Sequence, residues 1–332
     1  MSAIHSNISI FVPHIGCPNM CSFCNQRHIT GKVFAPRAAD VASAVETAVK
    51  SPRFDPKTTE IAFFGGSFTA INRNYMTELL KTAYTFVQNG TVSGIRISTR
   101  PDAIDEEILT LLKAHGVTAI ELGAQSLDDR VLVMNNRGHT ADDVRRASAL
   151  IKQNGFELGL QMMTGLYGDC DDSAVLTAQG IIEMKPDTVR IYPTIVLKDT
   201  DLAALYADGI YRPQQLDDAV RLAARLLLMF ENAGVRVIRL GLHSIEEKAY
   251  IAGPWHPAFS ELCQSKIYFD NAKKLLVEKG EYTLFVNPSA VSKMSGQKRM
   301  NIVNLKKSGF NCKIKTDTNL KNYEVRAERS EK

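Results

Sequence analysis

Residues 93–126, SGIRISTRPDAIDEEILTLLKAHGVTAIELGAQS, decide the fold. SGIRISTRP (93–101) reads as a strand, DAIDEEILTLLKAHG (102–116) repeats its apolar residues at helical spacing, and VTAIELGAQS (117–126) returns to strand. Asp102 is predicted to cap that helix and Gly116 to stop it. Toward the N-terminus the same alternation gives a helix at 74–88, a strand TTEIAFFGG (58–66), a helix at 38–49 and a strand NISIFVP (7–13). Toward the C-terminus it gives a helix at 141–154, a strand at 156–166, a helix at 172–185, a strand TVRIYPTIV (188–196) and a long amphipathic helix at 214–234. That makes six strand–helix units, and VRVIRLGLH (235–243) reads as a possible extension of the sheet. Strands and helices alternating at this spacing argue for parallel βαβ units, and the nearly continuous apolar runs predict strands covered on both faces. Periodicity alone leaves a barrel and a doubly wound sheet both open.

A chain of 332 residues with 45% hydrophobic content can bury a full core. Six cysteines are too few for a disulfide scaffold, and Cys170, Cys263 and Cys312 show no ligand spacing, which predicts a reduced, cytoplasmic protein. The N-terminus has no basic region before its apolar run, and Pro13 and His14 break that run well short of a membrane span. No export and no membrane partner are expected. Charge is unevenly placed: residues 293–332 hold 11 basic against 4 acidic residues, a local +7 that leaves the rest of the chain at −3 of its total +4. Such asymmetry suits a polyanionic partner, and equally a solvated tail.

The chemistry centres on Cys17-Pro18-Asn19-Met20-Cys21-Ser22-Phe23-Cys24, three thiols at x3 and x2 separations in one short loop after the first strand. A disulfide would use two and strand the third, so the spacing suggests either zinc, with His14 or His28 as fourth ligand, or an iron–sulfur cluster. Cys-x3-Cys-x2-Cys with Phe23 before the last cysteine resembles the signature of the radical S-adenosylmethionine (SAM) enzymes. The resemblance spans roughly residues 8–245. It implies that Cys17, Cys21 and Cys24 hold a [4Fe-4S] cluster whose open iron takes SAM. It also implies that one electron from the reduced cluster releases methionine and a 5′-deoxyadenosyl radical, with a flavodoxin or ferredoxin as electron donor. The fold it implies is α/β, an open six-unit (β/α)6 partial TIM barrel (1–245), then a helical connection (246–282) and a small α+β appendage (283–332).

Further motifs sit at the predicted strand ends, where parallel barrels carry their chemistry. Gly65-Gly66-Ser67-Phe68-Thr69 resembles the family's glycine-rich SAM loop, with Ser67 where an acidic residue is usual. Ser98-Thr99-Arg100-Pro101-Asp102 and Tyr192-Pro193 resemble the elongator catalytic-subunit branch, whose members modify wobble uridine in tRNA. The same resemblance implies that the hydroxyls of Ser98 and Thr99 meet the SAM ribose and Arg100 its carboxylate, that Gln125 and Gln161 face SAM or substrate, and that Asn136-Arg137-Gly138-His139 shapes the entrance, with Arg137 reaching a SAM or substrate anion. His243, Trp255, His256 and Glu261 suggest a wall on the substrate side without individual roles. In the appendage, strand–helix–turn–helix–strand order around Gly296-Gln297-Lys298-Arg299 resembles a minimal KH module, which implies RNA binding, although Arg299 stands where the second glycine of the GXXG loop would be. No acetyltransferase domain is expected to follow. The readings are an RNA-modifying radical enzyme, a radical enzyme on a small metabolite such as a tetrapyrrole, and a non-catalytic metal-containing RNA-binding protein.

Overall fold

The computed structural model describes residues 5–12, 17, 20–25, 35–242 and 247–330, so His14, His28 and His243 lie outside the described residues. The first half runs β1 (Ser6–Val12), α1 (Ala38–Val49), β2 (Thr59–Gly65), α2 (Arg73–Gln88), β3 (Gly94–Thr99), α3 (Glu106–Ala114), β4 (Val117–Gln125), α4 (Asp129–Met134) and α5 (Ala141–Gln153). There follow β5 (Glu157–Thr164), α6 (Asp171–Glu183), β6 (Thr188–Pro193), β7 (Val196–Leu197), α7 (Asp201–Ala207), α8 (Leu216–Asn232), β8 (Arg236–Leu240), β9 (Tyr250–Ala252) and α9 (Phe259–Leu275). β1 to β6 and then β8 pair in that order as one parallel sheet, curled into a half-barrel. The open barrel is as expected, and Arg236–Leu240, within the stretch read as an extension of the sheet, supplies a seventh strand. The antiparallel ribbon of β7 with β9 has no counterpart in the sequence reading.

Two sequence expectations need correction. Asp105, not Asp102, caps α3, because its carboxylate accepts from the Ile108 amide at 2.8 Å while Asp102 pairs with Arg100. Nor are the strands apolar on both faces. Ile61, Phe63, Ile97, Ile120, Leu158 and Ile191 are buried in the main core, which α1, α2, α5 and α8 also enter. The other face carries Glu60, Arg96, Glu121, Gln161 and Arg190, whose side chains touch one another across neighbouring strands. Arg96 reaches Glu60 at 3.0 Å and Glu157 at 3.1 Å. Arg190 grips Glu121 with two hydrogen bonds of 2.7 and 2.8 Å, and Gln161 donates to the same carboxylate at 3.1 Å. In an open barrel only the outside is covered by helices, so the inner face can be polar provided its charges are paired.

The pairing leaves an electrostatic mark. Burial raises the Glu60 carboxyl, but the hydrogen bond from His5 and the Arg96 charge outweigh it and hold its pKa at about 2. Burial works against the Arg190 cation, yet Glu121 more than compensates and drives its pKa up. Gly159 makes room for the arrangement, since a Cβ there would stand 2.7 Å from Glu121 Cγ and 3.0 Å from Thr188 Oγ1.

Beyond α9 lie β10 (Gly280–Val286), α10 (Val291–Ser295), α11 (Met300–Lys307), β11 (Phe310–Thr316) and β12 (Arg326–Arg329). The strand–helix–turn–helix–strand order is the one read from the sequence. β10 is central, parallel to β11 on one edge and antiparallel to β12 on the other. Tyr282, Leu284, Val286 and Leu305 join Phe230, Ile267 and Tyr268 of α8 and α9 in one continuous hydrophobic cluster. The appendage is therefore seated on the barrel's helices.

Glu121→Ala leaves the Arg190 side chain, 11% exposed, without its carboxylate. The expected cost in urea unfolding is about 3–5 kcal/mol. Gly159→Ala overpacks the same spot and is expected to cost about 1–3 kcal/mol.

Candidate active site

The parallel sheet brings the loops that follow its strands to one edge, and the cysteine loop is fastened there by residues from distant segments. Gly65, at φ +112°, ends β2 against β1: a Cβ would lie 2.8 Å from the Val12 carbonyl oxygen, and the Gly66 amide donates to that same oxygen at 2.8 Å. Only glycine permits so close an approach. Ser67 then brings its Oγ to 3.6 Å from Cys17 Sγ. Further along, the Cys24 amide donates to the Cys21 carbonyl at 3.0 Å, closing a turn around Ser22 and Phe23.

Ser22 is the anchor. Its Oγ donates to Asn135 Oδ1 at 2.8 Å, its amide donates to the Asn135 carbonyl, and its own carbonyl accepts from the Leu202 amide at 2.8 Å. Asn135, fully buried, passes its Nδ2 hydrogens to the Val131 and Tyr167 carbonyls. Phe23 packs against the small cluster of Val196, Leu202 and Tyr211, so it ties the loop to the β7–α7 region. Arg137 closes the site from the β4 side. Its Nη1 stands 3.0 Å from Cys21 Sγ, its Nη2 donates to the Gly123 carbonyl at 2.6 Å, and its carbonyl accepts from Arg100 Nη2 at 2.9 Å.

Several of the residues singled out from the sequence are engaged by the protein itself. Thr99 is hydrogen-bonded to Thr69 at 2.6 Å, and Thr69 donates to the Ala103 carbonyl, which joins the loops after β2 and β3. Arg100 is buried and held between Asp102 and Arg137. Gln161 donates to Glu121. Gln125 is 9% exposed and at φ +65°, and its buried Oε1, like Ser98 Oγ and Arg137 Nε, has no hydrogen-bond partner among the described residues. Trp255 packs with Tyr250, Ile195 and Leu197, and His256 Nδ1 accepts from the Ala258 amide, while Glu261 lies in the first turn of α9. The Gly296-Gln297-Lys298-Arg299 turn lies apart in the appendage, with Gly296, Lys298 and Arg299 all at positive φ. Asn301 pins it by donating to the Ser265, Lys293 and Met294 carbonyls.

Ser22, Asn135 and Glu121 are what sequence reasoning missed or left unweighted. Ser22 and Asn135 are 113 positions apart, and no periodicity links them. Glu121 had a visible signal, an acidic residue in the middle of an apolar strand.

Among the described residues no three His, Cys, Asp or Glu side chains converge on a single metal ion. In a cubane each thiolate takes a different iron, so this donor set, three thiols within eight residues, fits a cluster better than one ion. The unpartnered Ser98, Gln125 and Arg137 atoms suit a polar ligand beside it.

The profile of the Radical SAM superfamily matches residues 11–180, and that of the Radical_SAM C-terminal domain matches residues 186–268. The chain belongs to the radical SAM superfamily. It is an enzyme, and the cofactors of its superfamily are a [4Fe-4S] cluster and SAM. A tRNA uridine(34) acetyltransferase of Dehalococcoides mccartyi is 24% identical over 240 residues, covering 62% of this chain and 52% of that one. Human Elongator complex protein 3 is 28% identical over 192 residues, covering 51% and 35%. This radical SAM chain thus spans about half or less of the length of these curated relatives. Among solved structures, the Elp3 of Methanocaldococcus infernus with residues 1–46 deleted superposes with a TM-score of 0.67 at 20% identity, over 85% of this chain and 66% of that one. That likeness supports the fold. No described helix is long and apolar enough to cross a membrane.

His139 lies two residues past Arg137, buried, with its Nε2 donating to the Ala124 carbonyl at 3.2 Å. Burial, reinforced by the Arg137 charge, pushes its pKa down from 6.5 to about 4. The unfolded imidazole protonates first as pH falls, so this stability is complete above pH 6.5 and is lost between 6.5 and about 4. The loss at pH 4 is on the order of 3 kcal/mol. Urea unfolding across that range is expected to show this slope, flattened in His139→Gln.

Proposed function

We propose that this radical SAM enzyme modifies an RNA of the tRNA type. In this reading Cys17, Cys21 and Cys24 hold the cluster, and Gly65, Gly66, Ser67, Gln125 and Gln161 line the SAM side. The single observation that carries the catalytic part is the fastening of the cysteine loop at the strand ends, with Cys17 beside Ser67 and Cys21 beside Arg137. When bound, the reduced cluster supplies the electron for reductive cleavage of SAM. The chain's own residues orient and insulate that chemistry: Ser22 and Asn135 hold the loop, Phe23 anchors it in an apolar cluster, and Arg137 donates to a ligating sulfur. A one-electron carrier of the flavodoxin or ferredoxin class delivers the reducing equivalent.

RNA as substrate is supported by two independent features: curated relatives named for tRNA uridine(34), and a basic C-terminal segment. Residues 1–245 then act as the catalytic barrel, 246–282 as a connection and 283–332 as the substrate-positioning part, with Gly296, Gln297, Lys298 and Arg299 meeting the RNA. Truncation is a poor test, because β10 and α11 share the barrel's core. Substitution in the exposed turn avoids that problem. Anaerobically reconstituted enzyme is expected to form 5′-deoxyadenosine from SAM with dithionite and to alter a nucleoside in added bulk tRNA, read by mass spectrometry of digests. Lys298→Gln/Arg299→Gln is expected to lower the tRNA-dependent product at least tenfold while leaving tRNA-independent SAM cleavage within twofold. A cluster-loaded enzyme that cleaves SAM but changes no nucleoside would point to a small metabolite instead.

Arg137→Gln removes a donor and a positive charge beside a ligating sulfur, both of which favour the reduced cluster. Potentiometric titration followed by electron paramagnetic resonance is expected to show a more negative cluster potential, partly restored in Arg137→Lys.

A further inference from the structure

The eleven basic residues of the C-terminal segment are not equivalent once folded. Arg326 is neutralised by Asp317 and Glu328, and Arg329 by Glu278. Half-buried Lys293 faces Glu231, and Lys321 lies between Asp317 and Glu324 along the chain. Lys298, Arg299, Lys306, Lys307, Lys313 and Lys315 are all exposed, and among the described residues none has an ion-pair partner. No acidic residue occurs between positions 296 and 316.

Topology then segregates the two sets. The strand order β11-β10-β12 puts Lys313 and Lys315 on one edge and the neutralised Arg326 and Arg329 on the other. α11 packs on β11, so the turn, the helix and the edge strand form one flank. Lys313 and Lys315 alternate with Cys312 and Ile314, which pack in the core with Leu305 of α11, so the two lysines lie roughly 7 Å apart on the open face of the sheet, and a strand following the helix would pass round the β11 edge to reach them. Arg299 and Lys307 bracket a helix about 12 Å long. Between those cations α11 exposes Met300 and Val303, 47% and 39% accessible, which a base or ribose can cover.

The familiar role of edge lysines is to block pairing with another sheet. That accounts for Lys313 and Lys315 but not for the four cations on the turn and helix. We infer that the flank from Lys298 through α11 to Lys315 is a continuous track for the sugar–phosphate backbone of an RNA strand, extending well beyond the Gly296–Arg299 turn. This rests on the RNA reading above and specifies which surface carries it.

The test measures binding of the full-length enzyme to a fluorescein-labelled anticodon stem-loop transcript by anisotropy, across a salt series. Lys306→Gln/Lys307→Gln/Lys313→Gln/Lys315→Gln, which leaves the turn intact, is expected to weaken binding at least tenfold at low salt. It should also make the slope of log affinity against log salt shallower by about 3, the counterion release expected of four single-strand contacts. The same four positions changed to Arg should bind like the parent, which separates charge from misfolding. Arg326→Gln/Arg329→Gln, on the neutralised edge, should change affinity by less than twofold. If the parent binds and the quadruple Gln variant keeps its slope, the track is wrong while RNA binding stands. If the parent shows no salt-dependent RNA binding, or prefers phosphatidylserine vesicles, the RNA reading falls and takes the track with it.

Discussion

Everything in the molecule depends on seven strands running the same way. In a parallel sheet the loop after each strand emerges at one edge, so segments far apart in sequence meet without any dedicated contact to bring them there. The Val12 carbonyl shows how tightly this works, because it accepts the Gly66 amide and thereby sets the starts of two site loops against each other. The bonds from Ser22 to Asn135 and Leu202 then stitch a third and a fourth segment across the mouth. Loose thiols on a short loop would not hold a defined arrangement by themselves. Here the protein supplies it through buried, well-partnered polar groups.

The half-barrel creates a second requirement. An open sheet whose inner face carries no helix layer is not filled with aliphatic layers as a closed barrel is. This chain lines it with a charged relay: Glu60, Arg96 and Glu157 toward the strand starts, and Glu121, Arg190 and Gln161 further along. Buried ion pairs of this kind contribute little net stability over an apolar equivalent, but losing one partner is costly. Their effect is to close the base of the cleft with fixed dipoles, while nearer the strand ends Ser98, Gln125 and Arg137 each keep a buried polar atom without a hydrogen-bond partner among the described residues.

Much of the site was legible beforehand because its signals are local. Three cysteines in eight residues, a glycine pair after a strand and a basic turn between two short helices can each be read without knowing the fold. Thr99, Arg100 and Gln161 are different. Their residue types suggested ligand contacts, and the folded chain adds protein contacts that the sequence does not show: Thr99 to Thr69, Arg100 to Asp102 and the Arg137 carbonyl, and Gln161 Nε2 to Glu121. A side chain's chemistry is visible in sequence, but its partner is not.

The chain by itself determined the alternation of strand and helix, the parallel sense of the sheet and the thiol loop, because each follows from hydrophobic period or spacing over a few residues. Tertiary structure alone decided that the inner face is charged, that Asp105 rather than Asp102 begins α3, and that Arg326 and Arg329 are paired with carboxylates while, among the described residues, the cations from Lys298 to Lys315 are not. The physical reason is common to all three. Desolvation, capping and ion pairing depend on which groups come within a few ångströms of each other, and that is set by how strands stack and curl rather than by the order of residues along them.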